Sequence, residues 1–395
     1  MKPSTVALAV LFANVPLYGT MVALDPARPP IPAVVPHAVA AAIGVLALLA
    51  LAVALPAGVR AMRRDRLTAA FLAPGIATIV AALPGFDPPL GIGLGVLIVG
   101  IGAAGLAVAR DADAAAIRLF VRTFLWSGLV SCAVALAMQL THRPAALYAY
   151  DNGRAVGTFL NPNELAAYAL MGLAVALPLA LASRGRDRLA LITAAVLAVS
   201  LGATFSRWGL FCAVLGVAVY ALLSRARVLL ALAGAIALAG IALNVAEGAR
   251  HHNPRDTEAR VVAWQTGLTT FEHFPLLGVG PLAFPHTYDV FRPPAAPGAE
   301  TAVAFDPHSL PVAFAAEGGI VAVVTLVASF VVILGAALRT ARAAGALPRS
   351  LAFALVAGLL ALMTDTTINT IILLFPLGLQ VVPLALGVVR TDALS

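Results

Sequence analysis

A histidine stands at the mouth of a long apolar run in Pro307-His308-Ser309-Leu310, and a glutamate, Glu317, follows nine residues further in. An imidazole changes charge near neutral pH, at about 6.5 when unperturbed. His308 therefore has the chemistry of a general base, or else caps a helix or sits as an interfacial ring. Arginines recur at similar edges. Arg207 opens the apolar run 207–223, Arg260 lies one turn before Trp264, and Arg143 and Arg154 flank a polar connection. A charge held at membrane depth costs roughly 2.5–3.5 kcal/mol. Arg207 thus either lines a polar cavity or snorkels to the interface beside Trp208. Arg260, taken alone, reads as a residue of a solvated helix face.

The neutral residues have simpler readings. Asn161 or Asn163 of Asn161-Pro162-Asn163-Glu164 caps the apolar run that follows. The amides of Gly278-Val279-Gly280 either face an anion or only turn the chain, and the residue types favour the turn. Glu317, just before Gly318-Gly319, reads as a buried polar group at a helix contact, and Asp365 as an exposed helix end. No HExxH or CxxC spacing and no outer-face carboxylate cluster is present, so no metal or other cofactor is expected. Cys132 and Cys212 both fall inside apolar runs, which argues against a disulfide framework.

The elements that must position these residues are membrane helices. The 395 residues are 61% hydrophobic and 11% charged, against about 25% charged in ordinary soluble domains. Apolar runs of span length recur throughout, and strand alternation is absent. The expected fold is an all-α polytopic membrane protein with about 12 transmembrane helices, forming one domain over 1–395. The spans are placed near 5–24, 37–58, 67–84, 90–109, 117–140, 163–182, 189–205, 207–223, 228–245, 309–337, 350–367 and 369–389. The first run resembles a signal peptide but lacks a convincing cleavage site, so it is kept as a span.

Twelve spans put both termini on one side. With that side cytoplasmic, its connections hold 17 of the 25 basic residues and the opposite face eight. This is the bias of cytoplasmic loops, so the net charge of +7 records orientation and not nucleic-acid binding. Two outer connections are long, 141–162 and 246–307. The second, inserted between spans nine and ten, carries a helix signal. Asp256 or Thr257 stands as cap, with Val261, Trp264, Leu268 and Phe271 at helical spacing. Such a helix lies on the membrane surface or on top of the bundle.

Four stretches, in order and spacing, resemble the O-antigen ligase superfamily, which also holds O-antigen polymerases and protein O-oligosaccharyltransferases. They are GTFLNPNELAAY (157–168), FSRWGL (205–210), RVVAWQTGLTTFEHFPLLGVGPLAF (260–284) and PHSLPVAFAAEGG (307–319). The resemblance implies a metal-independent, inverting GT-C glycosyltransferase in the bacterial inner membrane, with a periplasmic site. Its donor would be a glycan on undecaprenyl diphosphate and its acceptor lipid A–core or another glycan, in contact with membrane lipids. It implies a base at His308 and donor-diphosphate clamps at Arg207 and Arg260, with Arg154, Asn161, Asn163 and Glu317 as possible supports. Guanidinium forks suit phosphate oxygens and would offset charge on the leaving diphosphate. Two positions depart from the pattern: Leu160 where glycine is common, and Ser309 where asparagine often follows the histidine. Both bear on the acceptor. A polymerase extending a second lipid-linked glycan is the alternative. A transporter of lipid-linked or anionic substrate fits less well, because no internal repeat is visible.

Overall fold

The computed structural model describes residues 1–24, 36–145, 152–224, 254–294, 307 and 309–343, with five isolated helical positions beyond them. Apart from those isolated positions, expected spans nine, eleven and twelve, together with His308 and Asp365, lie outside the described residues. All regular structure among the described residues is helical. In chain order the α-helices are α1 (Pro3–Asn14), α2 (His37–Ala61), α3 (Arg66–Ala82), α4 (Pro88–Asp111), α5 (Ala114–Thr141) and α6 (Pro162–Ala182). They continue with α7 (Arg188–Ala203), α8 (Arg207–Ser224), α9 (Pro254–His273), α10 (Phe284–Phe291) and α11 (Leu310–Ala343). Among the described residues, six segments are long and apolar enough to cross a membrane: Pro3–Thr20, His37–Ala61, Pro88–Asp111, Ala114–Thr141, Pro162–Leu181 and Leu310–Ala336. Arg66–Ala82, Arg188–Ala203 and Arg207–Ala218 are apolar but shorter. The chain is a helical membrane protein.

Local chemistry sets the helix ends. Asp65, Asp87, Asp113 and Asp187 each cap a helix by accepting an amide of its first turn, at 2.8, 3.1, 2.8 and 3.2 Å. The expected first span does not run as one α-helix: after Asn14 it tightens into a 3₁₀ segment, Val15–Leu24. Gly19 lies on this segment, where a Cβ would come within 2.6 Å of the Phe159 Cα. A bare backbone is needed for that contact.

Small residues let the helices approach closely, as interfaces in lipid require. Between α3 and α4, a Cβ on Gly95 would lie 2.8 Å from the Gly75 carbonyl oxygen. Aromatic rings fill the core between α1, α5 and α6. Phe12 stacks on Phe120 at 5.4 Å, and Tyr168 meets Phe124 at 5.7 Å and Phe159 at 5.0 Å.

Charged connections gather at one end. Arg110 donates to both Asp65 carboxylate oxygens at 2.7 and 2.6 Å, and Arg122 to Asp187 at 2.7 Å. Connections 60–66, 110–122 and 184–188, all expected on the cytoplasmic side, are thereby joined. At the opposite end the α3–α4 turn meets the long loop: the Phe86 amide donates to the Val279 carbonyl at 3.0 Å, and the Phe86 ring stacks on His286 at 4.2 Å.

Candidate functional site

The first motif is built into the bundle by its own polar groups. Asn161 accepts from the Asn163 and Glu164 amides at 2.8 and 3.4 Å, so it is the cap of α6, with Pro162 in the first helical position. Asn163 is thereby left for another task. Its side-chain oxygen accepts from the Arg154 guanidinium at 2.9 Å, while Arg154 Nε donates to the Thr204 carbonyl at 2.8 Å. Arg154 therefore ties the 152–160 segment to the start of α6 and to the α7–α8 corner. Just before α6, Leu160 holds a left-handed backbone, φ 57° and ψ 10°. That conformation costs a non-glycine residue about 1–2 kcal/mol, which explains why glycine suits the position. The leucine side chain offsets this by packing into a buried contact with Val156 and Met138.

The second motif forms the α7–α8 corner. Ser206 Oγ accepts the Gly209 amide at 3.2 Å and caps α8. Arg207 then occupies the first helical position and is exposed. No hydrogen bond or ion pair engages it among the described residues. A cation there opposes the helix dipole, which favours anions by about 0.3–1 kcal/mol. The guanidinium and the positive helix end together form an anion-attracting corner, three residues beyond the carbonyl that holds Arg154. Gly209 presses this corner onto α6, where a Cβ would lie 2.8 Å from the Ala166 Cβ.

The long loop is the third part. Its first helix, α9, begins at Pro254 and not at the expected cap near Asp256 or Thr257. Proline is pre-organised for the first helical turn, so positions 256 and 257 fall inside the helix. Ala263, Thr266, Gly267 and Thr270 form the buried face of α9, packed toward α11. A Cβ on Gly267 would meet Val312 at 2.5 Å and Pro307 at 3.6 Å. Arg260 is half-buried and lies one and two turns before Ala263 and Gly267, at the edge of that face. Pro307 and Ser309 are both buried. The Ser309 carbonyl accepts the Ala313 amide at 2.8 Å, which puts Ser309 at the cap position of α11. The helix of Arg260 thus packs beside the chain on either side of His308. A second loop helix, α10, packs Phe284 and Tyr288 with Ala263 and Ala316. Burial pushes the Tyr288 hydroxyl above the ordinary tyrosine range.

The fourth motif holds the main departure from the sequence expectation. The tenth span is not one continuous helix. At Gly319 the backbone takes φ 63° and ψ −163°, and α11 breaks. The Ile320 and Val321 amides, which an unbroken helix would send to Ala316 and Glu317, donate to the Pro275 and Leu276 carbonyls at 2.8 and 3.5 Å. The freed Ala316 and Glu317 carbonyls accept from the Val279 and Gly280 amides, each at 3.0 Å. The 275–280 loop is spliced into the break, so backbone groups within the apolar span are paired without a helix. Two of the glycine-turn amides are spent on this splice, which favours the plain-turn reading of Gly278–Gly280 over an anion cradle.

Glu317 is 8% exposed, and its Oε1 accepts the Phe284 amide, the first of α10, at 3.2 Å. It holds α10 to α11, as expected of a buried polar group at a helix contact. The cavity beside it, lined by Thr78, Pro281 and Phe314 among others, is about 30 Å³, too small for a sugar.

The structure therefore joins Arg154, Asn161 and Asn163 to the corner bearing Arg207, and Arg260 and Glu317 to the α9–α11 unit. α8 packs on α6 and α7, while α9 packs on α10 and α11, so the two arginines stand on different helix pairs. The Arg154 clamp and the helix splice escaped the sequence reading. The glycines at 278, 280, 318 and 319 were the available signal for the splice. Among the described residues no three His, Cys, Asp or Glu side chains gather as a metal-binding group.

Residues 165–327 match the model of the family described as O-antigen ligase. No curated protein matches the chain.

Proposed function

Because residues 165–327 match the O-antigen ligase family model, we propose that this protein transfers a glycan from undecaprenyl diphosphate to an acceptor hydroxyl at the periplasmic face of the inner membrane. Lipid A–core is the favoured acceptor. The acceptor oxygen attacks the anomeric carbon from the side opposite the diphosphate, so the centre inverts. The new C–O bond forms as the bond to the diphosphate breaks, and that electron pair remains on the departing phosphate oxygen. His308 takes the acceptor proton, a role typically worth 10²–10⁴-fold in rate. Arg207 and Arg260 neutralise the charge that grows on the leaving group.

The observation that carries this reading is the packing of the Arg260 helix against Pro307 and Val312, which flank residue 308 along the chain. The exposed arginine on the positive end of α8 supports it. Purified protein given an undecaprenyl-diphosphate glycan and lipid A–core is expected to yield the ligated lipid. His308→Ala should abolish product while leaving the unfolding temperature unchanged. Retained turnover would reject the base. A ladder of glycan lengths formed without core would assign the polymerase reaction instead.

A further inference from the structure

Helix α9 presents three distinct sides. Ala263, Thr266, Gly267 and Thr270 face the protein. Glu258, Gln265 and Glu272 form an exposed polar side. Between them runs an exposed apolar stripe of Val261, Trp264 and Leu268, at i, i+3 and i+7, with Leu268 half exposed at 50%. A helix of a water-soluble cap would turn these three inward, since burying each such side chain is worth about 1.5–3 kcal/mol. Here the small residues are inside and the large apolar ones outside, the arrangement expected where lipid is the surrounding medium.

The stripe is also continuous with the apolar surface of a membrane-spanning helix. Beyond the end of α9, exposed Phe274 and Leu276 follow, and the Leu276 and Pro275 carbonyls bond to the Val321 and Ile320 amides of α11. From there Ile320, Val324, Val327 and Val331 form an exposed row down one side of the span Leu310–Ala336. The exposed apolar stripe thus runs without a gap into the apolar surface of a spanning helix, with the polar residues of α9 on a separate side. This continuity favours an interfacial position.

We propose that α9 is such an interfacial helix, with its Val261–Trp264–Leu268 stripe covered by the acyl chains of the adjoining lipid leaflet. Arg260 lies where the protein-facing side of α9 meets this stripe. Resting on the function proposed above, this places the guanidinium at the level where the diphosphate of a lipid-linked donor emerges from the leaflet. The donor then reaches it by lateral diffusion, without leaving the membrane.

The test is quenching of Trp264 fluorescence in proteoliposomes. Trp126 and Trp208 are replaced by Phe to leave Trp264 as the sole indole. If that variant does not fold, the difference between the wild type and Trp264→Phe isolates the same signal. Phospholipids brominated near the headgroup end of their chains should quench strongly, those brominated at the chain ends less, and acrylamide weakly. Quenching by acrylamide but not by brominated lipid would put the stripe in water and overturn the proposal. Protection from both would mean a protein surface covers it, a second copy included, and would overturn it equally. Quenching strongest at the chain ends would exclude an interfacial depth. No turnover is read, so this result is separable from failure of the ligation assay.

Discussion

Gly278→Ala tests the helix splice most directly. Gly278 has φ +67°, and a Cβ built there would lie 2.3 Å from the Glu317 carbonyl carbon, 2.5 Å from the Gly318 nitrogen and 2.6 Å from the Ala316 oxygen. All three are backbone atoms at the break of α11, so no side chain can swing aside. The left-handed conformation costs alanine about 1–2 kcal/mol, and overpacking typically costs 1–3 kcal/mol more. The stiffer unfolded chain returns about 0.4–1 kcal/mol. The expected loss is therefore about 2–4 kcal/mol, read as a fall of several degrees in the unfolding temperature of the detergent-solubilised protein. Gly93→Ala is the matched control, because Gly93 lies within α4 with nothing within 4 Å of its added Cβ. That variant should unfold at or slightly above the wild-type temperature. If the two variants unfold at the same temperature, the loop does not lock the break, and the account of how α9 and α11 are held together fails. Since the splice fixes α9 against α11, Gly278→Ala should also lower glycan transfer in protein that remains folded.

Arg154→Ala should destabilise by about 1.5–3 kcal/mol, the worth of hydrogen bonds made by a charged group. Arg154→Lys should recover only part, because one ammonium cannot span both Thr204 and Asn163; full recovery in a thermal melt would reject the clamp. Asp65 predicts a pH dependence. The Arg110 guanidinium, then the Thr68 amide, hold its carboxyl at about 2, below the ordinary 3.8. Its contribution is complete above about 3.8 and is lost as the pH falls through about 2. The side chain is 43% exposed, so the effect is that of a surface pair, about 0.2–1 kcal/mol. Asp65→Asn should flatten the melting temperature in that pH window, and an unchanged slope would remove the pair from the ledger.

The residues that read most clearly in the sequence act over short distances along the chain. Asn161 caps α6 because a side-chain oxygen can reach only amides two or three positions on; NPNE narrowed the cap to Asn161 or Asn163, and the fold selects Asn161. The basic bias of connections 60–66, 110–122 and 184–188 was equally legible, since each connection carries its own charge. Leu160 shows the limit of this reading. Its departure from glycine was visible, but the positive φ that makes glycine suitable appears only in the folded turn.

Apolar length announced the helices, because hydrocarbon demands that each span pair its own amides. Length could not reveal that the tenth span breaks at Gly319. The four glycines at 278, 280, 318 and 319 lie up to 41 positions apart, and only their meeting lets two backbones exchange carbonyls and amides. The faces of α9 divide the same way. Periodicity identified Val261, Trp264, Leu268 and Phe271 as one apolar side, yet it carries no sign for inward or outward. Gly267 decided that in the folded protein: the side without a Cβ is the one that can close onto α11, so the large residues were left facing out.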